Sequence, residues 1–290
     1  NEYDRHALPH PGEPLTVGID GGFVHARDGD NRKAGWFEVI VGKSLQEHHE
    51  PRRFGFVTGH DQKPKRRLYD MLRAQGLQMN QAITFLSDGG DTVRNLQYYM
   101  SPVAEHILDW FHVTMKLTVM RNIAKGLPRH EELERVPDEL ERIKWFLWHG
   151  NIYQALESLG FLEMDLELFE LEDETAAKLY RYVREFAIYI RNNRNYIPNY
   201  GDRYRYGEII STAFVESAVN ELISRRMVKK QQMRWTKEGA HLLLQTRVKT
   251  LDGDLRDKFV EWYPGMGTSS ATTQLPVAAD RRVAVHGQEL

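Results

Sequence analysis

The sequence contains no cysteine, which excludes disulfides and thiolate metal sites. It also lacks any run of 18 apolar residues, so no transmembrane helix is expected. Residues 1–12 are polar and broken by Pro9 and Pro11, without the basic start and apolar centre of a signal peptide. These absences read together as a cytoplasmic protein. The chain does not open on Met, which reads as a processed chain or a piece of something longer. An excess of one charge is missing too: 39 Lys and Arg stand against 41 Asp and Glu, for a net −2 and a pI near 6.7. The average therefore does not announce a nucleic-acid binder. What is present is 41% hydrophobic and 11% aromatic residues over 290 positions. That is enough for a sizeable core in one large domain or two modest ones.

The charge is unevenly spread. Residues 52–67 are basic (Arg52, Arg53, Lys63, Lys65, Arg66, Arg67), and so are residues 225–249 (Arg225, Arg226, Lys229, Lys230, Arg234, Lys237, Arg247, Lys249). Residues 131–174 are strongly acidic. Phosphate contacts need local positive charge, so a near-neutral whole can conceal a binding face, although basic runs also occur as ordinary solvated helix faces. Trp235 lies within the second basic segment, where an aromatic ring can stack on an unpaired base or simply pack. Trp145 and Trp148, among Leu140, Leu147 and Leu156, read first as helix packing.

Along the chain, residues 15–20 (LTVGID) form a short β-rich run ending in Gly21-Gly22, a strand followed by a turn. Residues 34–41 and 53–58 are two further strand candidates, with a hairpin loop at 27–32. Helical spacing over 63–75 places Leu68, Met71 and Leu72 on one side, with Gly76 at the C-terminal cap. Residues 82–86 form a fourth strand running into Ser87-Asp88-Gly89-Gly90. Asp91 then fits the N-cap of a helix over 92–100. A fifth strand, 104–108, leads into Asp109-Trp110-Phe111-His112. From His112 to about Tyr200, apolar and aromatic residues recur at three- and four-residue intervals, as in an all-helical block. Ser211 or Thr212 then starts a helix through Phe214, Val219, Leu222 and Met227, and another follows at about 237–248. The order predicts a mixed α/β sheet interrupted by helices.

Three carboxylates fall where this order could gather them. Asp20 ends the first strand, Asp88 ends the fourth, and Glu216 sits early on the helix after the helical block, beside the Val215, Val219, Leu222 stripe. Neighbouring parallel strands present ligand groups at their carboxyl ends. Three hard oxygen donors favour magnesium or manganese over zinc, and paired ions on shared carboxylates suit phosphoryl displacement. Taken singly, Asp before Gly-Gly is ordinary turn chemistry and Glu near a helix start is ordinary capping. Asp91 is the rival second ligand. Asp88 is preferred because it directly follows the apolar strand.

VGIDGG at 17–22, FLSDGG at 85–90, DWFH at 109–112 and STAFVESAVNELISRRMVKKQQMRW at 211–235 resemble the DDE transposases of bacterial insertion sequences, most of all the ISKra-like group. The resemblance spans about residues 15–250. It implies an RNase H-like mixed sheet flanked by helices and interrupted by an all-α insertion, with Asp20, Asp88 and Glu216 as catalytic ligands of two Mg²⁺ or Mn²⁺ ions. It matches Asp109 and His112 to a C/D-x-x-H motif of insertion-bearing transposases, as supporting residues. A zinc site on these two lacks cysteine partners. The expected organisation is an extension (1–14), a first core part (15–116), the insertion (117–204), a second core part (205–262) and a tail (263–290). The expected partners are DNA, at transposon ends and target, and a second copy in a dimer or larger synaptic complex, in a bacterial, nucleoid-associated setting. Arg66, Arg67, Arg225, Arg226, Lys229, Lys230, Arg234 and Trp235 are the DNA-binding candidates. No compact basic module precedes Leu15, so weak, non-specific, salt-sensitive binding is expected of this chain. Two other outcomes stand beside this one: a catalytically silent DNA- or protein-binding relative, and an RNase H-type nuclease acting on RNA–DNA hybrids.

Overall fold

The computed structural model describes residues 11–27, 35–169, 171–228 and 234–265. The hairpin positions 28–32, Lys229, Lys230 and the tail beyond 265 lie outside them.

Five strands form one sheet: β1 (Leu15–His25), β2 (Trp36–Leu45), β3 (Arg52–Val57), β4 (Ile83–Ser87) and β5 (Glu105–Leu108). Their order across the sheet is β3-β2-β1-β4-β5. The first three make an antiparallel meander, while β4 and β5 run parallel to β1. The parallel strands are reached through α1 (Pro64–Ala74) and α2 (Asp91–Met100). This is the expected RNase H-like mixed sheet. Among the described residues no helix is long and apolar enough to cross a membrane.

Asp20 does not end the first strand, and Gly21-Gly22 is not a turn. β1 continues to His25 because β2 supplies backbone partners the whole way, with Gly21 opposite Ile40 and Gly22 opposite Val39. The glycines answer to packing instead: a Cβ at Gly22 would lie 3.2 Å from Ile223 Cδ1. At α1, Pro64 occupies the first turn, and Gly76 (φ +90°) follows the C-cap in the left-handed region glycine tolerates. At α2 the N-cap is Gly90 rather than Asp91, which is the first helical residue and almost fully exposed.

The two faces of the sheet are covered differently. Side chains alternate along β1. Val17 and Ile19 pack with Leu68, Met71, Leu72, Val93 and Leu96 of α1 and α2. The opposite face, at Gly18, Asp20 and Gly22, meets a continuous helical run made of α9 (Ala213–Val219), a π-turn (Asn220–Ser224) and α10 (Arg225–Met227). Leu222, Ile223 and Met227 from this run join Leu244 of α11 (Lys237–Leu251) on Val39, Val41 and Val57. A short α12 (Leu255–Trp262) follows.

Between β5 and α9 lies an all-helical block: α3 (Trp110–Ala124), α4 (Glu131–Glu134), α5 (Val136–Trp148), α6 (Ile152–Glu167), α7 (Glu174–Asn193) and α8 (Tyr200–Arg205). Its core includes Leu117, Met120, Leu140, Leu159, Val183 and Ile190, and is continuous with Leu86, Ile107 and Leu108 of the sheet. Trp148 packs there beside Trp110, as expected. Trp145 does not. It is 52% exposed, because α5 buries the line of Leu140, Ile143 and Leu147 and position 145 points away.

Candidate functional site

The last parallel pair of β1 and β4 is Ile19 with Ser87, so Asp20 and Asp88 occupy the next register step on adjacent strands. Asp20 lies two positions beyond Gly18, on the face covered by α9, and Asp88 directly follows the last residue of β4. Asp20 Oδ1 accepts the Gly21 N–H at 2.7 Å, and Asp88 Oδ1 accepts the Gly90 N–H at 2.9 Å.

Two packing contacts set the height of Glu216. A Cβ on Gly18 would collide with Val215 and Phe214, and a Cβ on Gly22 would lie 3.7 Å from Val219. Val215 and Val219 thus straddle Asp20, and the helical turn between them carries Glu216. The Lys43 ammonium ties this turn to β2 by donating to the Phe214 carbonyl at 3.2 Å. The Glu216 side chain is exposed, and its carboxylate makes no hydrogen bond or ion pair among the described residues. The ligand oxygens of Asp20, Asp88 and Glu216 are not all within 4.8 Å of one another. Three side chains that do meet that spacing, Glu13, Glu47 and His48, are exposed before β1 and after β2, away from Asp20.

Behind the carboxylates stands a buried connection. Asp109 is fully buried as the N-cap of α3, where Oδ1 accepts the Phe111 N–H at 2.9 Å. It also accepts the Thr212 N–H at 2.9 Å, the Thr212 hydroxyl, and His112 Nδ1 at 2.6 Å. The far edge of the ring, His112 Nε2, lies 3.8 Å from Asp20 Oδ1. One buried carboxylate therefore joins the start of α3 to the start of α9 and aims His112 at Asp20. Of the two expected caps, Thr212 stands at the N-cap of α9 but gives its hydroxyl to Asp109, while Ser211 Oγ accepts the Ala213 N–H at 3.2 Å.

The electrostatics follow from this arrangement. Burial raises the Asp20 carboxyl pKa above the usual range, with Asp88 and Asp109 adding to the rise against His112 and the Gly21 N–H. Burial likewise acts to raise Asp109, but the bonds from His112 and Thr212 outweigh it and hold the carboxyl below its ordinary value. Burial acts to lower His112, yet Asp109, Asp20 and Asp88 together raise it. Among the described residues no Lys or Arg pairs with Asp20, Asp88 or Glu216, and the titratable nitrogen facing Asp20 is that of His112.

The sequence did not point to the part played by the helical block. Tyr189 on α7 donates to the Asp88 carbonyl at 3.0 Å. Asn193 packs against Gly89, whose φ is +84°, and accepts from Arg94 at 2.6 Å. A tyrosine at the end of a long helical segment has no local signature of this role.

The basic candidates separate. Arg225, Arg226, Arg234 and Arg66 are exposed. Arg67 is engaged by Asp61, Gln245 and His241, tying α1 to α11. Trp235 packs against the cluster of Val24 and Phe37, and its backbone pairs with His25 and Arg27.

No family model and no curated protein matches this sequence. Among solved structures, the chain is similar to the Drosophila P element transposase in its strand transfer complex, at 10% identity and a TM-score of 0.37, covering 83% of this chain and 78% of that one. It is also similar to NurA, at 13% identity and a TM-score of 0.15, over 86% and 74% of the two chains. Superpositions this loose carry no argument. The RNase H-like architecture rests on strand order, connection and the covering of each face.

Proposed function

We propose that this chain is the catalytic domain of a DNA transposase that cleaves and joins DNA strands with Mg²⁺ or Mn²⁺, using Asp20, Asp88 and Glu216. The observation that carries the proposal is the adjacent register step shared by Asp20 and Asp88 beneath the helical turn of Glu216.

The donor set fits such ions. It offers only carboxylate oxygens, which hard divalent cations prefer, and the Asp20 charge is disfavoured by burial and by its acidic neighbours until a cation joins it. When bound, the ions would stabilise the attacking and leaving oxygens of an in-line displacement at phosphorus. The chain's own residues hold the frame: Asp109 orients His112 beside Asp20, Thr212 fixes the start of the Glu216 helix, and Tyr189 holds the Asp88 loop. Water would be the nucleophile at transposon ends, and the released 3′-hydroxyl the nucleophile at target DNA. The assembly would be a dimer or larger complex on two DNA ends.

The test is nicking of supercoiled plasmid by the purified chain in Mn²⁺. Asp20→Asn, Asp88→Asn and Glu216→Gln should each lower the rate by orders of magnitude, roughly 10²-fold or more, with Asp91→Asn near normal. Near-normal nicking by any of the three removes that residue from the ligand set. A wild-type chain that neither nicks nor takes up Mn²⁺ by calorimetry is a catalytically silent relative, and the proposal fails.

A further inference from the structure

α3 and α7 pack side by side and lead away from the carboxylates. At the inner end, His112 on α3 faces Asp20 and Tyr189 on α7 is bonded to Asp88. One turn out, the Lys116 ammonium sits over the Tyr189 ring, 4.8 Å from its centroid. Further out is an open groove of about 540 Å³, lined by Val119 and Asn122 from α3 and by Glu174, Lys178 and Tyr182 from α7. Helical spacing puts 112, 116 and 119 on one side of α3, and 189, 182 and 178 on one side of α7. The groove therefore continues the site.

Its chemistry is cationic and aromatic. Residues 110–130 hold four Lys and Arg and no carboxylate, and residues 175–206 hold seven against two. Lys178 is exposed with no ion pair among the described residues. Phe111, Met115, Val119 and Tyr182 are each about 40% exposed along this side. Two carboxylates are nearby, Glu174 at the outer end and Glu185 on the same side of α7, so the positive charge concentrates at Lys116 and Lys178. The other side of the block has the opposite character. Residues 131–174 hold fourteen carboxylates against three Lys and Arg, and in the cavity of about 360 Å³ there Arg135 and Arg142 are outnumbered by Glu132, Glu139, Glu157 and Asp165. That balance disfavours phosphate on this side.

We propose that the α3–α7 groove carries a single strand of DNA out of the carboxylate centre, with phosphates at Lys116 and Lys178 and bases against Tyr182 and Phe111. This rests on the carboxylates being a phosphodiester site. A single strand fits because its unpaired bases can stack on exposed aromatic faces, which a duplex does not offer. Aromatic faces accept any base, and lysines track the backbone.

The experiment is fluorescence anisotropy of a labelled, mixed-sequence single-stranded oligodeoxynucleotide with the full chain in EDTA, at several salt concentrations. Lys116→Glu with Lys178→Glu should weaken binding at least tenfold, and the milder Lys→Gln pair should flatten the slope of log affinity against log salt by about 1.4, roughly 0.7 per phosphate contact. Tyr182→Ala should weaken binding severalfold with the slope unchanged. Arg142→Glu with Lys144→Glu on α5, an equal change in net charge, should bind as wild type. The inference is overturned if both lysine pairs bind as wild type, if the α5 pair loses as much, or if a duplex binds through the same lysines as tightly. Plasmid nicking in Mn²⁺ by the wild-type chain separates the two proposals. Binding that persists while nicking is absent even in wild type sinks the transposase reading alone, and intact nicking with no effect of the lysines sinks the groove alone.

Discussion

The Tyr189 hydroxyl donates to the Asp88 carbonyl at 3.0 Å, so the helical block that interrupts the sheet reaches back to hold the loop bearing one of its carboxylates. Burial, with Asp88 and Asp109 nearby, raises the phenol pKa and keeps this group a neutral donor. Tyr189→Phe keeps the ring and removes the bond. Folding stability should fall by about 1 kcal/mol, while Mn²⁺-dependent nicking should fall roughly tenfold to a hundredfold from a displaced Asp88 loop. Urea unfolding and plasmid nicking on the same preparation test this. Full nicking by the variant would mean that α7 only covers the loop.

Asp20 carries a stability cost that depends on pH. Its folded pKa is raised, so the folded state holds the proton more readily than the unfolded chain. The ionised form is then a penalty that sets in as pH rises through the folded pKa and is absent below the ordinary carboxylate value. Asp20→Asn should melt above wild type at neutral pH, by a few degrees at roughly 2–4 °C per kcal/mol for a chain of this size. The gap should close toward acid pH. Added Mn²⁺ should raise the melting temperature of wild type and leave the variant unmoved. A variant that melts lower at neutral pH contradicts the account.

The Asp109–His112 pair has a window of its own. His112 has a raised folded pKa, so its contribution is complete below about 6.5 and is lost as pH climbs through the folded value. Asp109 has a lowered one, so its contribution is present above about 3.9 and is lost as pH drops through the folded value. His112→Ala should therefore destabilise more at about pH 6 than at about pH 9. It should also impair nicking while Mn²⁺ uptake by calorimetry persists, because the ring positions Asp20 from behind. A lost ion would make His112 a ligand. Asp109→Asn, at a fully buried position, should cost about 3 kcal/mol.

Gly18 sets how closely the Glu216 helix approaches the sheet. Gly18→Ala forces a Cβ against Val215 and Phe214, an overpacking expected to cost about 1–3 kcal/mol, and it should lower nicking by lifting Glu216 away from Asp20. Gly160→Ala on α6 is the contrast. Its added Cβ meets nothing within 4 Å, so the helix should gain about 0.5–1 kcal/mol. Thermal melts of the two variants should move in opposite directions, and equal shifts would contradict the close approach at Gly18.

The five strands, α1 and the helical block were legible as sequence, because alternation, 3.6-residue spacing and glycine placement are local properties. The position of Asp20 and Asp88 one step beyond the β1–β4 ladder was legible conditionally, once β1 and β4 were taken as neighbours. Where β1 stops was not legible. Gly21-Gly22 has the composition of a turn, and only the backbone partners offered by β2 keep it extended. Nor was the fate of the ring at Trp145, whose spacing suits a core that α5 turns toward 140, 143 and 147 instead. The bonds that organise the centre join residues about a hundred positions apart: Asp109 to Thr212, Tyr189 to Asp88 and Asn193 to Arg94. Sequence by itself determined which chemical groups were available and which short segments carried them. Tertiary structure decided which groups met, because a hydrogen bond between distant residues depends on how helices pack on the sheet, and no local pattern encodes that distance.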